Sequence, residues 1–121
     1  MKIYIGHSTG FDYINELYRP IRNSTLNNEH QIVLPHEESK GLFNSKDFLK
    51  ECDLMIAEVS YPSIGLGIEI GWADANKCPV ICIYKKGQKI TGALKAVTDK
   101  FIEYGSEEEM IVLLDKVIKE I

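Results

Sequence analysis

AEVSYPSIGLGIEIGWA, residues 57–73, is the stretch that decides how the rest of the chain is read. It is entered by an apolar run, residues 54–59, which breaks at Ser60, Tyr61, Pro62 and Ser63 into Gly65-Leu66-Gly67. A buried strand that feeds a Gly-rich turn and a helix N-terminus leaves unpaired backbone N–H groups pointing outward, so the corner suits an anion. Glu69 follows at once. The spacing predicts that it lies in the helix's first turn, where the positive end of the helix dipole favours an ionised carboxylate. A carboxylate beside a phosphate-sized nest is a chemical feature as well as a structural one.

Working outward, the strands on either side are solidly apolar and alternate with helical patterns. Ile3, Tyr4 and Ile5 form a first strand, and Gly6-His7-Ser8-Thr9-Gly10 should be the turn after it. Phe11, Ile14, Leu17, Tyr18 and Ile21 recur at helical spacing, with Pro20 expected to kink or end that helix. A polar connection, residues 22–28, leads to a second strand at 31–34. Pro35 closes that strand, and a charged loop runs from His36 to Gly41. A short helix starts at Asn44, with Asp47 as capping partner. Residues 79–84 (PVICIY) make a fourth strand and 85–89 a lysine-rich turn. A short helix near 92–97 and a fifth strand at 101–104 follow. The last helix opens on the capping box Ser106-x-x-Glu109 and carries Met110, Leu113, Leu114, Val117, Ile118 and Ile121 as its core stripe.

Continuously apolar strands separated by helices indicate a parallel sheet covered on both faces. The expected fold is therefore α/β, a three-layer doubly wound (flavodoxin-like or Rossmann-like) five-stranded parallel sheet, with residues 1–121 as a single domain. Ligands of such sheets bind beyond the carboxyl ends of the strands. There the loops 6–10 and 60–67 would share one crevice, bringing His7 and Ser8 toward Ser63, Gly65, Gly67 and Glu69. The spacing Gly65-x-Gly67-x-x-x-Gly71 is not the dinucleotide fingerprint. The glycines either ease a tight turn or let backbone approach a ligand, and Ser63 with Glu69 favours the second. Glu58, at the carboxyl end of the third strand, either lines the crevice or pairs with a Lys or His.

Composition narrows the classes. A net charge of −4 argues against binding a nucleic-acid polymer, while a small anion in a local nest stays compatible with it. Cys52, Cys78 and Cys82 lack a C-x-x-C spacing and read as reduced, buried thiols. His7, His30 and His36 form no i, i+4 pair, so neither metal nor cofactor is expected. No signal peptide fits ahead of the first strand, and no run is long enough to span a membrane; the expected location is cytoplasmic.

With these residues in view, AEVSYPSIGLGIEIGWA resembles the central motif of the nucleoside 2-deoxyribosyltransferase superfamily, in particular the 2'-deoxynucleoside 5'-phosphate N-hydrolase branch. Ile3-Tyr4-Ile5-Gly6-His7-Ser8 and the fourth strand extend the likeness. The resemblance implies cleavage of an N-glycosidic bond in a nucleoside or its 5'-monophosphate. Glu69 would be the nucleophile forming a covalent glycosyl intermediate, with Tyr4 near sugar and base. Ser8, Ser63 and Gly65 would hold the phosphate. It also implies a homodimer or larger homo-oligomer, with the helix carrying Trp72 as a contact.

Three positions depart from the pattern. Ser45 stands where the family has an Asp, with Asp47 two residues on; Gly10 stands in place of an Arg; Thr91 and Gly92 lie where the family has a Ser that reaches the phosphate from a neighbouring subunit. His7, Glu37 or Asp47 could then supply the proton to the departing base. The lead expectation is hydrolysis. The alternatives are a nucleotide-binding module that has lost turnover, and an NAD- or ribonucleotide-directed glycohydrolase.

Overall fold

The alternation of faces along each strand builds this fold. In β1 (Lys2–His7), Ile3 and Ile5 point to one side of the sheet and Tyr4 to the other, and all three are buried. In β3 (Leu54–Glu58), Leu54 and Ile56 oppose Met55 and Ala57 in the same way. Apolar side chains on both faces mean that neither can face water, so helices must cover each. The computed structural model describes residues 1–38 and 44–121. Its five strands, with β2 (Gln31–Val33), β4 (Val80–Lys85) and β5 (Phe101–Tyr104), pair entirely in parallel in the order β2-β1-β3-β4-β5. That is the flavodoxin-like order, and the expected fold class holds.

One face is covered by the 14–22 segment, α2 (Leu26–Glu29) and α6 (Glu107–Lys119), through Leu17, Ile21, Leu26, Met110, Leu114 and Ile118. The other is covered by α4 (Ser45–Phe48), α5 (Ile64–Ala75) and a 3-10 turn, Gly92–Ala96, through Leu49, Leu66, Ile70 and Ala73. Gly6 belongs to the second face. A Cβ there would meet Met55 Cε at 2.5 Å and Leu66 Cδ1 at 3.1 Å, so a larger residue would have to displace the Met55 tip and press on Leu66 of α5.

Several local expectations are corrected. Gly6 and His7 extend β1 rather than opening the turn, because both pair with β3. Pro20 does not end the first helix. It sits at the start of α1 (Arg19–Arg22), behind a π-helical turn, Ile14–Tyr18, in which the Arg19 N–H reaches back to the Ile14 carbonyl. A proline has no N–H for the carbonyl four residues back, and the widened turn absorbs that mismatch. Pro35 opens a short helix, α3 (Pro35–Glu38), where a loop was expected, since its fixed φ suits a first helical position. The remainder of that loop, Ser39 to Gly41, lies outside the described residues. Lys85 belongs to β4, not to the turn after it.

The caps are as read: Asn44 accepts from the Asp47 N–H at 3.2 Å and Ser106 from the Glu109 N–H at 3.1 Å. The C-terminus of α5 is a Schellman turn, with Lys77 N donating to Asp74 O and Cys78 N to Ala73 O. Lys77 takes φ 59°, the left-handed conformation that favours glycine. Lys77→Gly should therefore stabilise the fold by about 1 kcal/mol, read as a higher urea midpoint at unchanged slope.

Candidate active site

Three loops at the carboxyl ends of β1, β2 and β3 enclose a cavity of about 410 Å³. Tyr4, His7 and Thr9 come from β1 and its exit loop, and Pro35 and His36 from the end of β2. Ser45 comes from α4, and Ser63, Gly65, Glu69 and Trp72 from α5 and its cap.

Glu69 sits in the second turn of α5, not the first, because Ser63 is the N-cap and the helix begins at Ile64. What holds its carboxylate is Tyr4. The tyrosine hydroxyl donates to Glu69 Oε2 at 2.5 Å. Burial first, and the adjacent carboxylate second, push the Tyr4 phenol well above its ordinary range, so its proton stays on that bond. A side-chain hydrogen bond with Ser45 works in the opposite direction, easing the Tyr4 pKa back down. Since the Tyr4 proton is committed to Glu69, Ser45 is the donor in that contact.

Ser63 is extended (φ −154°, ψ 129°), and its Oγ accepts from the Leu66 N–H at 3.3 Å. Beyond the Leu66 N–H, the first N–H groups of α5 have no partner within the helix, and Ser63 and Gly65 at this helix start line the cavity. The loop leading to Ser63 is latched from behind. Glu58, fully buried, accepts from the Ser60 N–H at 2.6 Å and from the Tyr104 hydroxyl, while Ser60 Oγ accepts from the Lys85 N–H at 2.7 Å. Glu58 thus neither lines the cavity nor pairs with Lys or His; by strand alternation it faces the α6 side. The Lys85 ammonium donates to Glu16 and to the Tyr61 hydroxyl, so it is no solvated turn residue.

His7 is a strut. A carbonyl can only accept, so its Nδ1 carries the proton donated to Ser8 O at 2.8 Å. Nε2 then accepts from the Tyr18 hydroxyl at 2.6 Å. Burial lowers its pKa to about 4, leaving it neutral near pH 7. Tyr18 in turn accepts from the His36 N–H at 3.2 Å, which joins the exits of β1 and β2. His7 therefore has no proton to offer a leaving group.

Of the expected residues, Tyr4, His7, Ser63, Gly65 and Glu69 meet in the cavity. Ser8 is buried just behind it, its Oγ accepting from the Gly10 N–H at 3.0 Å, so Ser8 and Gly10 shape the loop while Thr9 faces the opening. Gly67 is exposed on α5 and does not line the cavity. Asp47 is a correction: its side chain is exposed and engaged by Asn44 and Lys50, because the cap that starts α4 turns it to solvent. Glu37 pairs with Arg22 at 3.4 Å and lines a neighbouring cavity. Thr91 caps the 3-10 turn away from this cavity. Thr9 and His36 were missed. Trp72, read as a contact residue, lines the cavity three residues after Glu69, on one helix face.

Among the described residues no group of three or more His, Cys, Asp or Glu could hold a metal, and no helix is long and apolar enough to cross a membrane.

The fold and cavity define a flavodoxin-like domain with a tyrosine-held carboxylate beyond the strand ends. No family model matches the chain. It is similar to a 2'-deoxynucleoside 5'-phosphate N-hydrolase 1 of Syntrophotalea carbinolica, 48% identical over 40 residues, 33% of this chain and 28% of the relative. It is also similar to the 5-hydroxymethyl-dUMP N-hydrolase of Tetraodon nigroviridis, 32% identical over 75 residues, 57% of this chain and 53% of the relative. The chain spans about half or less of the length of the curated relatives it matches. A solved CMP N-glycosidase of Clostridium botulinum superposes with a TM-score of 0.69 at 25% identity, covering 95% of this chain and 99% of that one. A 2-deoxyribosyltransferase of Leishmania mexicana shares the fold, with a TM-score of 0.65 at 16% identity over 94% and 97% of the two chains. Together these match the nucleoside 2-deoxyribosyltransferase superfamily that the central motif resembles.

Proposed function

We propose that residues 1–121 form one domain that breaks the N-glycosidic bond of a (deoxy)nucleoside 5'-monophosphate through Glu69. The observation that carries this reading is the Tyr4–Glu69 hydrogen bond at the wall of a cavity shared with Ser63 and Gly65. The Tyr4 bond fixes Oε2 and aims the carboxylate, so that Oε1 attacks the anomeric carbon. The C–N bond then breaks and the base leaves with its electron pair. Water attacks the same carbon, displaces the carboxylate and releases the sugar phosphate. The α5 N-terminus, Ser63 and Gly65 receive the phosphate, and Thr9 faces it across the opening.

Two assignments are redrawn: Asp47 is set aside as catalytic, and Ser8 acts by shaping the β1 exit, while Thr91 keeps the role of reaching a phosphate in a neighbouring subunit. The protein works in the cytoplasm, a location supported by its free, buried cysteines, and as a homodimer or larger. Ile64, 86% exposed, and Ile68 on the rim-forming helix α5 support that contact.

Incubation with a panel of nucleoside and deoxynucleoside monophosphates, followed by chromatography for released base, tests the activity. Binding without release would make the chain a nucleotide-binding module instead. A ribonucleotide preference is the second reading, favoured by the Clostridium botulinum neighbour, which is named for CMP.

Ser63→Ala should weaken monophosphates about tenfold relative to the matching nucleosides, on the order of one hydrogen bond to a charged group. Loss of the cap costs about 1 kcal/mol of stability in either case. Equal losses for both substrate types would remove Ser63 from the phosphate site.

A further inference from the structure

At the C-terminal end of α5, just ahead of β3 and β4 and so at the opposite end of the sheet from the cavity, two thiols meet. Cys52 follows α4 and Cys78 follows α5, 26 residues apart, with their Sγ atoms 2.9 Å from each other. The Schellman turn pins Cys78 through its N–H bond to Ala73 O, and the Cys52 N–H is fixed on Phe48 O at 3.0 Å. Both cysteines are free and nearly buried, Cys52 9% and Cys78 6% exposed, and nothing in the proposed chemistry uses them. A disulfide needs an Sγ separation of about 2.05 Å, under an ångström of side-chain motion from here.

We propose that Cys52 and Cys78 are a modification site: a hydroperoxide converts them to an intrachain disulfide that ties the end of α4 to the end of α5. The pair is asymmetric. The hydrogen bond from the Cys78 thiol draws the Cys52 pKa down, while that same bond and then burial drive Cys78 up. Cys52, the more exposed of the two sulfurs' residues, is the one a peroxide meets first and so the attacking sulfur. Its thiolate takes the outer oxygen of hydrogen peroxide, the O–O bond breaks, and the released hydroxide takes up a proton to become water. The resulting Cys52 sulfenic acid is attacked by the Cys78 sulfur, the S–S bond forms, and a second water departs. Two thiols are oxidised and one peroxide is reduced to two waters. Cys82, fully buried with its pKa pushed to about 11 by burial, stays a thiol. The bridge would join the two helices that bring Ser45 and Glu69 to the cavity.

The test uses the full chain, fully reduced, then treated with hydrogen peroxide and alkylated under denaturing, non-reducing conditions. The expected product has lost two hydrogens, accepts a single alkyl group, and yields a peptide pair joining Cys52 to Cys78 that dithiothreitol separates. Its Tm should rise by about 10 °C, the size that chain entropy assigns to a loop of this length. Cys52→Ser and Cys78→Ser should each abolish the bridge and the Tm shift. Persistence of three alkylatable thiols, oxygen adducts on Cys52 with Cys78 still free, or a bridge that uses Cys82 or a second chain would each overturn the proposal. None of these outcomes depends on the proposed glycosidic activity.

Discussion

Glu69→Gln should lower the rate of base release by roughly four orders of magnitude or more, the scale on which removing a covalent nucleophile acts. The substitution is nearly isosteric, and its amide oxygen can still accept the Tyr4 hydroxyl, so the fold and the cavity should survive. An unchanged urea midpoint and retained binding of a monophosphate would confirm that only the chemistry has gone. The effect is expected in kcat and kcat/KM alike, because the carboxylate acts on the anomeric carbon only as the bond breaks. A variant that still releases base within tenfold of the parent would remove Glu69 from the mechanism and leave Tyr4–Glu69 as a buried structural bond.

What the sequence made legible follows from which signals are local. Strand alternation and cap chemistry are carried by residues within a few positions of one another. The five parallel strands, the Asn44 and Ser106 caps and the short helical turn near 92–97 could therefore be read directly, whereas the Ser63 cap went unread and left Glu69 one turn out of place. Alternation also held an unused answer for Glu58: counted along β3, it shares a side with Leu54 and Ile56, away from α5. The Tyr4–Glu69 bond spans 65 residues and was not legible: the family likeness placed Tyr4 only near sugar and base, and nothing near Tyr4 marks it as other than core. The contest between Ser45 and Asp47 turned on helix geometry. With Asn44 as cap, Ser45 faces inward and is 8% exposed, whereas Asp47 turns back to the cap. The place of His36 depends on β2 lying beside β1, an adjacency that tertiary pairing decides.

For the proposed reaction, Ser45 is where the site is chemically incomplete, and filling it should speed base release. Departure of a neutral base is helped by a proton, and the described side chains offer few sources. His7 is neutral with both ring nitrogens engaged, Tyr4 holds its proton on Glu69, and Asp47 and Glu37 lie outside the cavity. Ser45 is inside it, one hydrogen bond from Tyr4, at the first position of α4, where an acidic residue suits the helix dipole. In Ser45→Asp the introduced carboxyl would sit two hydrogen bonds from the Glu69 carboxylate. Two such groups in one partly buried site do not both ionise readily, so one proton stays with the pair and becomes available to the leaving base. General acid catalysis of this kind gives 10²–10⁴-fold, and a gain of about 100-fold in kcat is expected. An acid-requiring limb should appear with it in the pH–rate profile, while Asp47→Asn leaves the rate unchanged. Absence of any gain in a folded Ser45→Asp protein would mean that the base departs without help from this position. Substrates whose base is already cationic would then be the ones to try, because they leave without needing a proton.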